Sequence, residues 1–143
     1  MPVNEDYEER LIREKLQEIL EKMSEEEKRV TPQRVLLTKL ILTRVKDHAS
    51  LKELFDEAQS QLPRVGISTV YNTIKMLESM GVIETFTVED KLRIDQPTPH
   101  INVYCKNTGR IFDIDGGLLD ELSARLKEKG LAVRKVLIEA VCG

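Results

Sequence analysis

The sequence predicts an α+β chain, with a helical first domain closed by a β-hairpin and a small α/β domain after it. Three observations carry this. Helical amphipathic segments fill the first half of the chain and stop at Gly81. Two β-prone runs, Val82–Val88 and Lys91–Ile94, follow directly around the acidic pair Glu89-Asp90. Beyond Pro97 and Pro99 the pattern changes to strand, strand, helix, strand. The expected division is 1–96 and 97–143.

In chain order, Leu11, Ile12, Leu16, Ile19, Leu20 and Met23 form one helical stripe. Thr31-Pro32 reads as N-cap and first position of a helix running through Val35, Leu36, Lys39, Leu40, Leu42 and Val45. Ser50 and Glu53 form a capping box for a third helix, with Leu51, Leu54, Phe55 and Ala58 turned inward. Ser68 is expected to cap a fourth, short helix. Three helices plus a hairpin make a winged helix, whose last helix enters the major groove in helix-turn-helix proteins. In the second domain, Ile101–Cys105 and Arg110–Ile114 read as strands around Asn107-Thr108-Gly109. A helix carrying Leu118, Leu119, Leu122 and Leu126 follows, stopped at Gly130, and then a β-branched run from Leu131 to Val141. So small a unit is short of buried area alone, and pairing with a second copy would supply it.

Composition narrows the function. With 41% hydrophobic and 33% charged residues the chain is globular. No apolar run suits a membrane span, and the acidic start is unlike a signal peptide, so a cytoplasmic location with no membrane partner is expected. The net charge of −3 is unevenly spread. Residues 1–27 hold ten acidic groups against four basic ones, whereas 28–46 hold Lys28, Arg29, Arg34, Lys39, Arg44 and Lys46 and no acid. That stretch suits either a phosphate backbone or a plain solvated face. Cys105 and Cys142 are too few for a four-thiolate zinc site, and the plain expectation is two separate core residues.

On the fourth helix Val70, Ile74 and Leu77 face inward. The opposite face carries Ser68, Asn72, Lys75 and Ser79, with Thr69 and Tyr71 at its edges. Hydroxyls and Lys reach phosphates, Asn pairs with an adenine edge, and an aromatic ring rests on a thymine methyl. With Arg34, these are the candidate DNA-binding residues: Arg34, Ser68, Thr69, Tyr71, Asn72 and Lys75.

Val30-Thr-Pro-Gln-Arg34, His48-Ala-Ser50 and Ser68-Thr-Val-Tyr-Asn-Thr-Ile-Lys-Met-Leu77 before Gly81 resemble the ferric uptake regulator (Fur) family, in its order and spacing, over about residues 29–139. The resemblance implies a homodimeric winged-helix repressor that binds palindromic operator DNA when loaded with a divalent metal. It also implies a sensing site at the joint between the domains, whose matching positions here are His48, Asp95, His100, Asn102 and Asp113. Asn102 stands where the family has a second His, and the interval from Asp95 to His100 is one residue short. Two His and two Asp suit Fe²⁺, Mn²⁺ or Zn²⁺. The set is most similar to that of the peroxide-sensing branch, which makes His48 and His100 the candidates for oxidation.

The family's structural zinc motif, His-x-His-x-x-Cys-x-x-Cys-Gly, reads here His100-Ile-Asn102-Val-Tyr-Cys105-Lys-Asn-Thr108-Gly109, and only Cys142 remains of a second pair. No structural four-cysteine zinc is therefore expected. A second family site would need ligands where Pro99, Ile101 and Leu137 stand, and its absence is expected too. Three other readings stay open: a metal-independent repressor with decayed sites, a winged helix used only for protein contacts, and a small iron enzyme. The last lacks a nucleophile, cofactor loop and phosphate cradle, so no enzyme activity is expected.

Overall fold

The computed structural model describes residues 2–26, 29–114 and 116–143, with backbone alone for 2–8. Lys28 of the basic run lies outside the described residues. The chain divides into two compact units, Met1–Pro97 and Thr98–Gly143.

The first unit is built from α1 (Pro2–Glu25), α2 (Pro32–Arg44), a 3-10 turn at Val45–Asp47, α3 (Leu51–Gln61), α4 (Ile67–Ser79) and the hairpin β1 (Glu84–Val88) and β2 (Lys91–Asp95). Its core is aliphatic, with Met23, Leu37, Ile41, Leu54, Ile74 and Leu77 almost wholly buried. Only the C-terminal part of the α1 stripe reaches it: Ile19 and Met23 are buried, while Leu11 is exposed. Lys22 reaches from α1 to donate to the Met80 carbonyl at 3.1 Å, placing a cation at the C-terminal end of α4, where the helix dipole favours one.

Thr31 caps α2 as expected, accepting from the Arg34 amide at 3.2 Å. The residues that α2 turns inward are only partly those that mark the helix in the sequence. Leu37, Thr38, Leu40 and Ile41 are buried, while Val35, Leu36 and Leu42 are half-buried and Lys39 is exposed. With apolar residues at nearly every position from 35 to 42, periodicity leaves the inward face open, and packing between neighbours selects it. The Ser50–Glu53 capping box on α3 is present in both directions.

α4 begins earlier than expected. Gly66, in extended conformation, is its N-cap, and no side chain caps it; Ser68 lies inside the first turn, exposed. β1 and β2 pair antiparallel from Glu84↔Asp95 to Val88↔Lys91. Glu89 and Asp90 both have positive φ, as a two-residue primed turn requires.

The second unit holds β3 (Ile101–Cys105), β4 (Ile111–Ile114), α5 (Gly116–Lys127) and β5 (Val136–Ala140). β3 lies in the middle of the sheet, antiparallel to β4 and parallel to β5. β3 is buried at four of five positions, whereas α5 buries no residue and β5 exposes Leu137 and Ile138. The cysteines correct the sequence expectation. They are not separate core residues but form a disulfide, with a Cα–Cα distance of 5.6 Å across 37 residues of chain.

Candidate functional site

His48 follows the 3-10 turn in left-handed conformation (φ 50°). Its amide donates to Val45 O at 3.1 Å. The turn itself is pinned by Arg44, which donates to Asp47 at 2.9 Å and also bonds Glu57. Burial acts against the Arg44 charge, but Glu57 and Asp47 outweigh it and hold the guanidinium above its ordinary range.

The segment after His48 is zipped to β2. The Ile94 amide donates to Ala49 O at 3.0 Å, and Ser50 bridges Arg93 in antiparallel fashion. This pairing carries His48 to the end of β2. There its Nδ1 stands 3.3 Å from Asp95 Oδ1, and its ring meets Phe86 edge-on at 5.9 Å. Both side chains are out of water: His48 is 5% exposed and Asp95 1%. Asp95 Oδ1 also accepts the Gln96 amide at 2.8 Å.

Arg93, which the sequence reading did not single out, organises this corner. Its Nη1 donates to the His48 carbonyl at 3.1 Å and lies 3.4 Å from Glu53 Oε1. The same Glu53 oxygen accepts the Ser50 amide in the capping box. One guanidinium thus ties the strained His48 backbone to both α3 and β2. In the sequence only its place between Leu92 and Ile94, on the outer face of a strand, hinted at it. Arg93→Ala is expected to weaken metal binding about 10- to 100-fold, as supporting residues around metal ligands do, with partial recovery in Arg93→Lys. Calorimetric metal titration of the three proteins checks this.

In the second unit, Asn102 and Asp113 are direct cross-strand partners of β3 and β4, which places them on one face of the sheet. Asn102 is buried and Asp113 exposed. His100 precedes β3 by one residue and is half-buried; its Nδ1 donates to Thr98 O at 2.7 Å. A carbonyl can only accept, so the neutral ring carries its proton on Nδ1 and its lone pair on Nε2. This is the backbone-anchored arrangement common in histidine ligands of metals. Among the described residues no three His, Cys, Asp or Glu side chains stand together as a metal cluster. The structure brings together His48 with Asp95 in one unit and Asn102 with Asp113 in the other. The donors themselves fit a divalent ion. A carboxylate as deeply buried as Asp95 beside an imidazole is costly unless positive charge compensates it.

On α4, Ser68, Tyr71, Asn72 and Lys75 are exposed and Thr69 is half-buried. Lys75 donates to Glu78 at 3.0 Å and lies 5.7 Å from the centre of the Tyr71 ring. Its hydrogen bond to Glu78 raises the ammonium above the ordinary lysine range. Half-buried Arg34, on the first turn of α2, donates through Nη1 to Arg29 O at 2.8 Å.

Fold and site define a winged-helix unit followed in the chain by a small α/β unit. A model of the ferric uptake regulator family matches residues 25–141. A ferric uptake regulation protein homolog of Archaeoglobus fulgidus is 32% identical over 108 residues, covering 75% of this chain and 84% of that one. The peroxide operon regulator of Bacillus subtilis is 27% identical over 132 residues, covering 89% of this chain and 90% of its own. The structure of the Helicobacter pylori ferric uptake regulator has a TM-score of 0.78 at 16% identity, over 92% of this chain and 91% of that one, a likeness of fold. The chain belongs to the ferric uptake regulator family.

Proposed function

We propose that this chain is a metal-responsive transcriptional repressor that binds palindromic operator DNA as a homodimer in the cytoplasm. The observation that carries the reading is the buried His48–Asp95 pair, held by a backbone built for it, in a chain of this family. His48 and Asp95 would hold the ion from the winged-helix unit, and His100, Asn102 and Asp113 from the other. His100 would offer Nε2 and Asn102 its amide oxygen. A divalent ion there would supply positive charge that offsets the buried carboxylate of Asp95. Fe²⁺ and Mn²⁺ suit these nitrogen and oxygen donors, with Zn²⁺ as the alternative.

The family relatives named above include a peroxide operon regulator, and peroxide sensing is the finer part of the proposal. Its marker would be oxidation of His48 or His100, read by peptide mass spectrometry after peroxide treatment of iron-loaded protein. The homodimer is supported by the second unit, whose α5 is nowhere buried and whose apolar Phe112, Leu118, Leu137 and Ile138 are exposed. A regulator of this kind is not an enzyme, and its output is DNA occupancy.

DNA reading falls to α4. Asn72→Ala is expected to cost about 1–3 kcal/mol of operator binding and to relax preference at a single base pair. Lys75→Ala is expected to weaken all duplexes alike and to reduce the salt slope by about one. Because Lys75 is paired with Glu78, it exchanges that partner for phosphate on binding, so its effect falls at the lower end of a phosphate contact. Fluorescence anisotropy on operator and scrambled duplexes at several salt concentrations tests this. Absence of salt-dependent binding to duplex DNA would favour a module for protein contacts instead.

A further inference from the structure

We propose that Cys105 and Cys142 form a reversible thiol–disulfide site, closed by a hydroperoxide and opened by a dithiol, whose state decides whether β5 is locked to β3. The two are the only cysteines in the sequence, so no other thiol of the chain competes for either. Cys105 ends β3 and is wholly buried, while Cys142 follows β5 and is half-buried between exposed Val141 and Gly143. Cys142 is therefore the residue of the pair nearer solvent and Cys105 the sheltered one.

The bond sits where opening is local. β5 is an edge strand, most of it exposed, and its parallel ladder with β3 ends at Cys105↔Ala140. Past that point the Lys106 amide donates to Ala140 O at 2.8 Å. Asn107 then brackets Cys142, donating from Nδ2 to its carbonyl at 2.8 Å and accepting its amide on Oδ1 at 2.9 Å. This bracket involves no sulfur atom. It keeps the two thiols within reach after reduction, so closure stays intramolecular and fast.

The chemistry balances with one hydroperoxide. The Cys142 thiolate attacks the peroxide oxygen, giving a sulfenic acid and releasing the alcohol, or water from hydrogen peroxide. Cys105 then attacks the sulfenic sulfur, forming the disulfide and expelling water. Two thiols lose two electrons, and the O–O bond takes them. In reverse, a dithiol attacks Cys142, frees Cys105 as a thiol, and closes its own disulfide. On the proposed repressor reading, the chain works beside DNA in a compartment where thiols are kept reduced. Disulfides in that setting are as a rule transient or redox-sensing.

The test uses the full chain without metal or DNA, so its outcome is separable from the repressor reading. Reduced protein is treated with hydrogen peroxide, then with dithiothreitol under native conditions, with maleimide labelling and amide exchange at each stage. Labelling should fall from two thiols to none and return to two. Amides of β5 should exchange on the order of tenfold faster in the reduced form. With dimedone present, Cys105→Ser should trap an adduct on Cys142, and Cys142→Ser should trap none on Cys105. Thiols that survive peroxide, a disulfide that yields to dithiothreitol only after unfolding, or equal β5 exchange in both states would overturn the proposal.

Discussion

Replacing His48 with alanine is expected to lower metal affinity by about 100-fold or more, beyond the range seen when a supporting residue is lost. Operator affinity in the presence of metal should fall with it. Coupling between two ligands on one protein is reciprocal and typically worth about 5- to 150-fold, so a loss in that range is expected. His48 is also left-handed, a conformation that histidine tolerates better than alanine, so alanine there adds some backbone strain of its own. His48→Asn serves as the control, because Asn tolerates that conformation while losing the imidazole. Metal titration and operator binding by both variants check the prediction. If His48→Asn kept the metal affinity and metal-stimulated operator binding of the parent, His48 would be a structural residue only.

Removing the disulfide should have the largest effect on stability. The bond closes 37 residues of chain, and the loop-entropy model then gives about 4 kcal/mol for Cys105→Ser with Cys142→Ser. The second unit has little else to absorb the loss, since its helix buries no residue and its sheet has three strands. For a chain of this size the shift in Tm is on the order of 10 °C. Calorimetry of the double variant beside the oxidised and reduced parent measures it, and the double variant should match the reduced parent under both conditions.

Much of the fold was legible because local chemistry was strong where it mattered. Thr31-Pro32 and the Ser50–Glu53 box state where helices begin, and Glu89-Asp90 between two β-prone runs states where the hairpin turns. The start of α4 was misplaced because Ser68 has the chemistry of a cap while Gly66, with no side chain, takes the position. The inward face of α2 was left open by apolar residues at both 35–37 and 40–42, which cover more than one side of a helix. At the site, the family resemblance pointed to His48 and Asp95, and the pair proved close and buried. What no spacing could reveal was how that closeness is achieved. Arg93 acts through a backbone carbonyl and a capping carboxylate 45 and 40 residues away, and such partners carry no sequence signature. The disulfide was hidden for a similar reason: two cysteines 37 residues apart have no local spacing to read, and the parallel β3–β5 pairing that brings them together is a tertiary event.

The central claim is that this chain's grip on DNA depends on a divalent ion held by its own histidines and carboxylates. The most direct measurement is operator binding by the parent protein over a titration of Mn²⁺ or anaerobic Fe²⁺, repeated with chelator. The account predicts tight binding that appears with the metal and is lost on chelation, on a palindromic duplex and not on a scrambled one. Equal operator affinity in chelator and in metal would contradict it.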